Sequence, residues 1–474
     1  MVSPRFASPL VLAAAVLFAP RATAAQTEVG IPFARQEAYV LHFAAPHQTI
    51  RLDLGENQLS TDLAVEARVA PDATLLDPRG RPVERSAILP GMEVVVDGEK
   101  LRAGFLIRSL RLKTRLEDWQ VEVSGVFERL DSATAVVGGQ RVALEDGAAV
   151  QGAEQWRQRS FRSFGEMMLG SFVELKGRRG PDGLVRVRQG RTWPNLFTDT
   201  ERALNAALKQ GLQPPQQLSG GTMRIGDEEF RLVQDRALQA YVTRLGTRLV
   251  PRWMQDLPED DPGKVVFRFY VVDDPAFNAA AYPDGSVIVH TGLLKVMQNE
   301  AQLAAVLGHE IAHVTHEHGR ERFEGERTRT RATGLLRRVG EVAGVQAPTS
   351  VQVGNERVDL SQVARIGVGA LSNVHNRGRE SQADRVGLFY MVEAGYDPRE
   401  AATVWRRLAE ATKPANAIQA ITRRADTFLF SSHPESAARA RSINREIAAT
   451  YGTTDLSRLK TGAPEYQRAI AGLR

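Results

Sequence analysis

Between Leu303 and Val314 the chain is apolar almost without a break, yet His309, Glu310 and His313 are set into that run. Leu303, Ala304, Val306, Leu307, Ile311 and Val314 make most of one helix apolar. The pattern predicts that this helix is capped by Asn299 and runs to about Arg322. A helix that is apolar nearly all round belongs in a core. Buried polar groups are costly unless something partners them, so two imidazoles and a carboxylate in such a helix call for a shared partner. Residues four apart stack on one helix face, and His309 and His313 can therefore grip a single metal ion. Glu310 lies beside them, where a carboxylate can take a proton from attacking water. The competing reading, a helix with surface histidines, leaves the apolar surroundings unexplained.

A catalytic zinc takes a third protein ligand and keeps a fourth position open. An extended pattern with glycine three residues after the second histidine and another histidine three further on is excluded, because those places hold His316 and Gly319. The alternative is a carboxylate from another helix. Glu380-Ser381-Gln382-Ala383-Asp384 opens a helical stretch with Val386, Leu388 and Met391 that ends at Gly395-Tyr396-Asp397-Pro398. Glu380 and Asp384 share a face. One of them can ligate while the other accepts from the outer nitrogen of a ligand histidine and sets its tautomer. His316 and His318 lie further along the first helix, and a fourth ligand there would close the open position, so supporting or surface roles are expected. His290 and His375 receive no chemical role.

At 474 residues the chain is long enough for two or three domains. Hydrophobic residues are 43% and charged residues 25%, which excludes a disordered chain. A net charge of +5 is small for this size, and no Lys/Arg run is interleaved with aromatics, so nucleic acid is not an expected partner. Residues 1–25 read as a cleaved signal peptide: Arg5, the eleven residues Pro9 to Ala19, then Ala22-Thr23-Ala24. That apolar stretch is short for a span of roughly 20 residues, and no later stretch reaches spanning length without charges. The absence of cysteine removes disulfides and thiolate ligands and suits an oxidising compartment such as a bacterial periplasm.

From about 30 to 195, Val, Leu and Arg alternate between close Gly/Pro/Asp turns such as Leu76-Asp77-Pro78-Arg79-Gly80. Gly91-Met92-Glu93-Val94-Val95-Val96-Asp97-Gly98 matches Gly170-Ser171-Phe172-Val173-Glu174-Leu175-Lys176-Gly177 glycine to glycine. The repeat predicts two tandem small OB-like β-barrels, at 26–115 and 116–195. Trp119, Trp156 and Phe172 are expected in their cores, which leaves a spacer or substrate-presenting role. Helical spacing follows at Asp199 to Leu212 and Val233 to Val250, then a strand at Lys264 to Val272, a turn at Tyr282-Pro283-Asp284-Gly285 and a strand at Ser286 to His290. The expected fold is thus α+β, with the barrels ahead of a mainly helical, metal-binding domain with a small edge sheet at 196–452 and a tail at 453–474.

The run Asn278 to Leu294, the stretch Leu303 to His318 and Glu380 to Gly387 together resemble the HtpX-like and BepA-like zinc metallopeptidases. That gluzincin family also holds the CAAX prenyl proteases and the mitochondrial Oma-type enzymes. The resemblance covers about residues 230 to 445, and Gly308 departs from it where the family commonly has alanine. It implies one Zn2+ per chain on His309, His313 and Glu380, with Asp384 supporting a ligand and Glu310 as base. Ser286, Val287, Ile288, Val289 and His290 become the strand along the cleft that an extended peptide pairs with. Ser431-Ser432-His433-Pro434 resembles a His-Pro turn near the family's zinc, and Arg439 matches the arginine that follows it. His433 can steady the oxyanion or silence the resting enzyme as a further ligand, and Arg439 joins it as an oxyanion or structural residue. The implied activity is endopeptidase cleavage of unfolded or misassembled envelope proteins, with peripheral association with envelope machinery. The rival is a chaperone-like protein of the same fold, kept inactive by His433.

Overall fold

The computed structural model describes residues 30–44, 48–55, 59–60, 62–153, 157–193, 216–217, 219–225, 228–261, 263–318, 350–353, 356–359, 377–411 and 436–473. The expected leader, the helix at Asp199–Leu212, Trp156, His375 and His433 lie outside them. Five strands close the first barrel: β1 (Ile31–Ala44), β2 (Thr49–Asp53), β3 (Val65–Leu76), β4 (Glu93–Leu101) and β5 (Gly104–Leu112). They run in the order β1-β2-β3-β5-β4, and β3 and β5 are parallel. Alternation along each strand turns one side chain in two inward, so Val40, Ile50, Leu52, Val94, Val96 and Ile107 form the interior.

The second barrel repeats this plan. It consists of β6 (Gln120–Asp131), β7 (Thr134–Val137), β8 (Gln140–Gly152), β9 (Ser160–Phe161), β10 (Phe172–Arg179) and β11 (Val185–Trp193). Pairing runs β6-β7-β8-β11-β10 and back to β6, with β9 added beside β8. Its parallel pair, β8 with β11, stands where β3 and β5 stand in the first. The matched glycines hold equivalent places. Gly91 and Gly170 take φ of 92° and 84°, and Gly98 and Gly177 sit at register breaks. A Cβ would lie 2.1 Å from the Leu106 carbonyl oxygen at Gly98 and 2.2 Å from that of Arg186 at Gly177. No other residue lets the neighbouring strand approach so closely.

The second half opens on a small sheet of β12 (Gln216–Gln217), β13 (Thr222–Ile225) and β14 (Glu228–Arg231). Helix α1 (Arg236–Leu249) follows, capped by the Asp235 carboxylate on two backbone N–H groups, then α2 (Arg252–Asp256). A second three-stranded sheet holds β15 (Arg268–Val272), β16 (Ala279–Ala281) and β17 (Ser286–His290). Next come α3 (Thr291–Val296), α4 (Glu300–Thr315), the hairpin β18 (Ser350–Val353) and β19 (Glu356–Asp359), then α5 (Arg377–Glu393), α6 (Arg399–Ala411), α7 (Ser436–Tyr451) and α8 (Ala463–Ala469). Every residue of α4 is buried. Val242 of α1, Val289 of β17, Val386 of α5, Trp405 of α6, Ile443 of α7 and Tyr466 of α8 share one core with it. Among the described residues no helix is long and apolar enough to cross a membrane.

Three expectations are corrected. The strand Ser286–His290 is the middle strand of its sheet, parallel to β15 and antiparallel to β16, so it offers no free edge. Helix α4 stops at Thr315 instead of continuing toward Arg322, because Glu317 takes a φ of 51° and turns the chain. The segment from 453 is no loose tail: the Tyr466 hydroxyl, fully buried, donates to the Leu294 carbonyl at 2.6 Å.

Nor are the barrels a detached spacer. Asp53 of the first, buried, accepts from Arg441 at 2.7 Å and Arg445 at 2.8 Å on α7. Arg179 of the second donates to the Ala449 carbonyl at 2.9 Å. Glycines seat the second barrel on α4 and α5: a Cβ at Gly125 would lie 3.1 Å from His316 Nε2, and one at Gly139 2.7 Å from the Arg385 carbonyl.

Candidate metal centre

Helix α4 starts where Asn299 accepts from the Gln302 N–H at 2.9 Å, and two turns later it presents its polar residues. His309, Glu310 and His313 are 1%, 4% and 3% exposed. Helix α5 crosses α4 where two glycines meet. A Cβ at Gly308 would stand 3.0 Å from the Gly387 carbonyl oxygen, and one at Gly387 2.9 Å from the His309 nitrogen. This contact lays the two helix backbones directly against each other. It also sets the helices close enough for Glu380, two turns before Gly387 on α5, to reach α4.

The crossing brings His309, His313 and Glu380 into one cluster able to hold an ion. His309 Nε2 and His313 Nε2 are 2.9 Å apart, and the Glu380 oxygens lie 3.5 Å from each of them. Zinc bonds of 2.0–2.1 Å at tetrahedral angles put neighbouring ligand atoms roughly 3.3 Å apart. Two buried imidazole nitrogens and one half-buried carboxylate, so spaced, fit that ion.

Asp384 Oδ1 lies 3.1 Å from His309 Nδ1, where it accepts from the outer nitrogen and leaves Nε2 facing the cluster. Burial alone would raise this carboxyl, but the Arg439 guanidinium and His309 outweigh it and hold Asp384 below the usual carboxylate range. Arg439, from α7, donates to both Asp384 oxygens at 2.6 to 3.1 Å and stands 3.3 Å from Glu380. Its guanidinium lies 3.5 Å over the Trp405 ring. Of the two roles expected for Arg439, this geometry suits the structural one, a clamp on two carboxylates.

Glu310 Oε2 accepts from the Ala281 N–H at 3.1 Å. Desolvation pushes the Glu310 carboxyl up to about 7. Ala281 belongs to β16, the strand at the edge of its sheet. Tyr282 N–H donates to the Ser286 carbonyl and His290 N–H to that of Asn278. By antiparallel alternation, Ala279 and Ala281 then turn their backbone groups to the open side. The edge along the site is Ala279–Ala281, with Ser286–His290 behind it. His290 itself turns toward Asp274, 3.6 Å away.

Sequence reasoning placed His316 and His318 further along the helix and did not foresee their contacts. His318 Nδ1 lies 2.8 Å from His313 Nδ1, and His316 Nε2 accepts from the Val126 N–H of the second barrel at 3.1 Å. Burial holds His316 well below the ordinary histidine range. Ala281, Trp405 and Gln382 were missed as well. Ala281 is one of three like alanines, and nothing in its type marks it.

A buried helix with two histidines and a glutamate, joined by a glutamate from a crossing helix, is the arrangement of a metal-dependent protease domain. Residues 237–447 match peptidase family M48. The beta-barrel assembly-enhancing protease of Yersinia pestis is 27% identical over 229 residues, covering 44% of this chain and 44% of that protein. Its namesake in Escherichia coli (strain K12) is 29% identical over 205 residues, 40% of this chain and 38% of its own length. The mitochondrial metalloendopeptidase OMA1 of Schizosaccharomyces pombe is 27% identical over 228 residues, 46% of this chain and 60% of that protein. The chain therefore spans less than half the length of the assembly-enhancing proteases it matches.

Proposed function

We propose that this protein is a zinc-dependent endopeptidase that cleaves unfolded or misassembled envelope proteins. The observation that carries the reading is the Glu310 carboxylate, fixed by Ala281 N–H beside a cluster of His309, His313 and Glu380 with zinc-like spacing. The metal, when bound, supplies a Lewis acid that polarises a peptide carbonyl and makes water more acidic. An extended substrate adds to the edge of β16 through the outward N–H and carbonyl of Ala279 and the carbonyl of Ala281, the Ala281 N–H being held by Glu310, and this demands no particular sequence. Glu310 takes the proton of the attacking water and returns it to the leaving amine. Its raised carboxyl suits both transfers near neutral pH. Asp384 and Arg439 keep His309 and Glu380 turned toward the ion. His433 remains in this reading as the donor to the oxyanion, or as the gate.

The shared strand order of the two barrels supports an OB-like reading of both. The leader at 1–25 supports export to a periplasm, and the relatives named for β-barrel assembly support a substrate class among envelope proteins. Glu310→Gln tests the mechanism. It should keep about one zinc per chain and lose casein cleavage by about 10²- to 10⁴-fold, the range of a general base. Cleavage at the wild-type rate would remove Glu310 from the reaction.

A further inference from the structure

Beyond the three donors, a chain of hydrogen bonds leads from His313 to the second barrel, and one end of it admits a single direction. Gln382 Nε2 donates to the Ser124 carbonyl of β6 at 2.9 Å. A main-chain carbonyl can only accept, so the amide has its nitrogen on that side and its oxygen on the other. Gln382 Oε1 lies 2.8 Å from His318 Nε2 and also only accepts, which puts the His318 proton on Nε2 and a lone pair on Nδ1. His318 Nδ1 is 2.8 Å from His313 Nδ1. The proton between them therefore belongs to His313, and His313 Nε2 is left with its lone pair toward His309 and Glu380.

We infer that His318 and Gln382 are positioning residues for the metal site, fixing the tautomer of His313 against the Ser124 carbonyl of the second barrel. His313 thus receives from the barrel what His309 receives from Asp384. The contact depends on the break in α4. In a continuous helix a residue five positions on points away from His313, whereas the left-handed Glu317 folds His318 back onto it. It depends also on the seating of the barrel, where Arg385 donates to the same Ser124 carbonyl at 3.2 Å and to that of Gly138 at 2.8 Å. The second barrel is on this account a component of the zinc site. The inference rests on the reading of His309, His313 and Glu380 as zinc ligands.

The test is zinc affinity of the full-length protein, stripped of metal and titrated against a chelating dye, with thermal melting of the metal-free forms as the folding control. His318→Leu removes the acceptor and should weaken zinc by about 10- to 100-fold, the usual cost of losing an orienting partner. His318→Asn places an amide oxygen near the lost Nδ1 and should bind within about threefold of wild type, on that same scale. Gln382→Leu keeps His318 but frees its tautomer, and should weaken zinc in the same direction even if His318→Leu does not fold. Folded Leu variants that bind as tightly as wild type, or an Asn variant as weak as His318→Leu, would overturn the inference and leave the ligand set standing. A folded wild type that takes up no zinc would overturn the ligand reading and the inference with it.

Discussion

Asp384 receives donors from two sides, the outer nitrogen of His309 and the Arg439 guanidinium. An Nδ1–H donated to Asp384 leaves the His309 Nε2 lone pair for an ion. In Asp384→Asn, one of the two donors meets an NH₂ group. Zinc affinity should fall by about 10- to 100-fold, read by dye competition, with peptidase activity falling in parallel. Unchanged affinity would mean that the Arg439 contact to Glu380 alone holds the site. The sequence left Glu380 and Asp384 interchangeable by spacing, because four residues apart on a helix says only that they share a face. The crossing point of the helices assigned their places: Glu380 faces the Nε2 atoms of both histidines, and Asp384 faces only the outer nitrogen of His309.

Two glycines decide how closely α4 and α5 approach, and they are not equivalent. Gly387→Ala would push a methyl group to 2.9 Å from the His309 backbone nitrogen, on the helix that carries the ligands. That overpacking should cost about 1–3 kcal/mol in chemical denaturation and weaken zinc by moving Glu380. At Gly308 the nearest atom is a carbonyl oxygen at 3.0 Å, and alanine also favours a helix by about 0.8–1 kcal/mol over glycine. Gly308→Ala should therefore be nearly neutral, and equal losses at the two positions would refute this account. The strand reading erred at the same scale. Ser286–His290 and Ala279–Ala281 are both short apolar runs, and a run of that kind carries no mark of which one takes the sheet's edge.

Across the whole molecule, the barrels and the helices meet at a buried carboxyl. Glu128 of β6 accepts from the Tyr390 hydroxyl of α5 at 3.0 Å and from the Trp253 indole of α2. Burial lifts it to about 8 against the opposing pull of those bonds. Below about pH 4.3, the usual glutamate value, folded and unfolded chains both hold this proton. Between there and about 8 only the unfolded chain releases it, so folding loses stability as pH rises. Glu128→Gln has no proton to release, and its urea midpoint from pH 5 to 8 should fall less than that of wild type. Parallel curves would show that Glu128 is ionised in the joint.

The alternation of the first half, the paired glycines 91/98 and 170/177, and the polar trio inside an apolar helix are all short-range patterns. They can be read along the chain because one element's period or one turn's φ dictates them. Sequence by itself thus determined the two strand-rich repeats, the buried helix α4 and the two histidines and glutamate it presents. Tertiary structure alone decided which strand is the edge and how His318 turns back at Glu317. It also decided that the second barrel reaches the metal site through Gln382. Those outcomes depend on distances between elements far apart in the chain. Gly308 and Gly387, or Ser124 and Gln382, set such distances only once the core has brought them together.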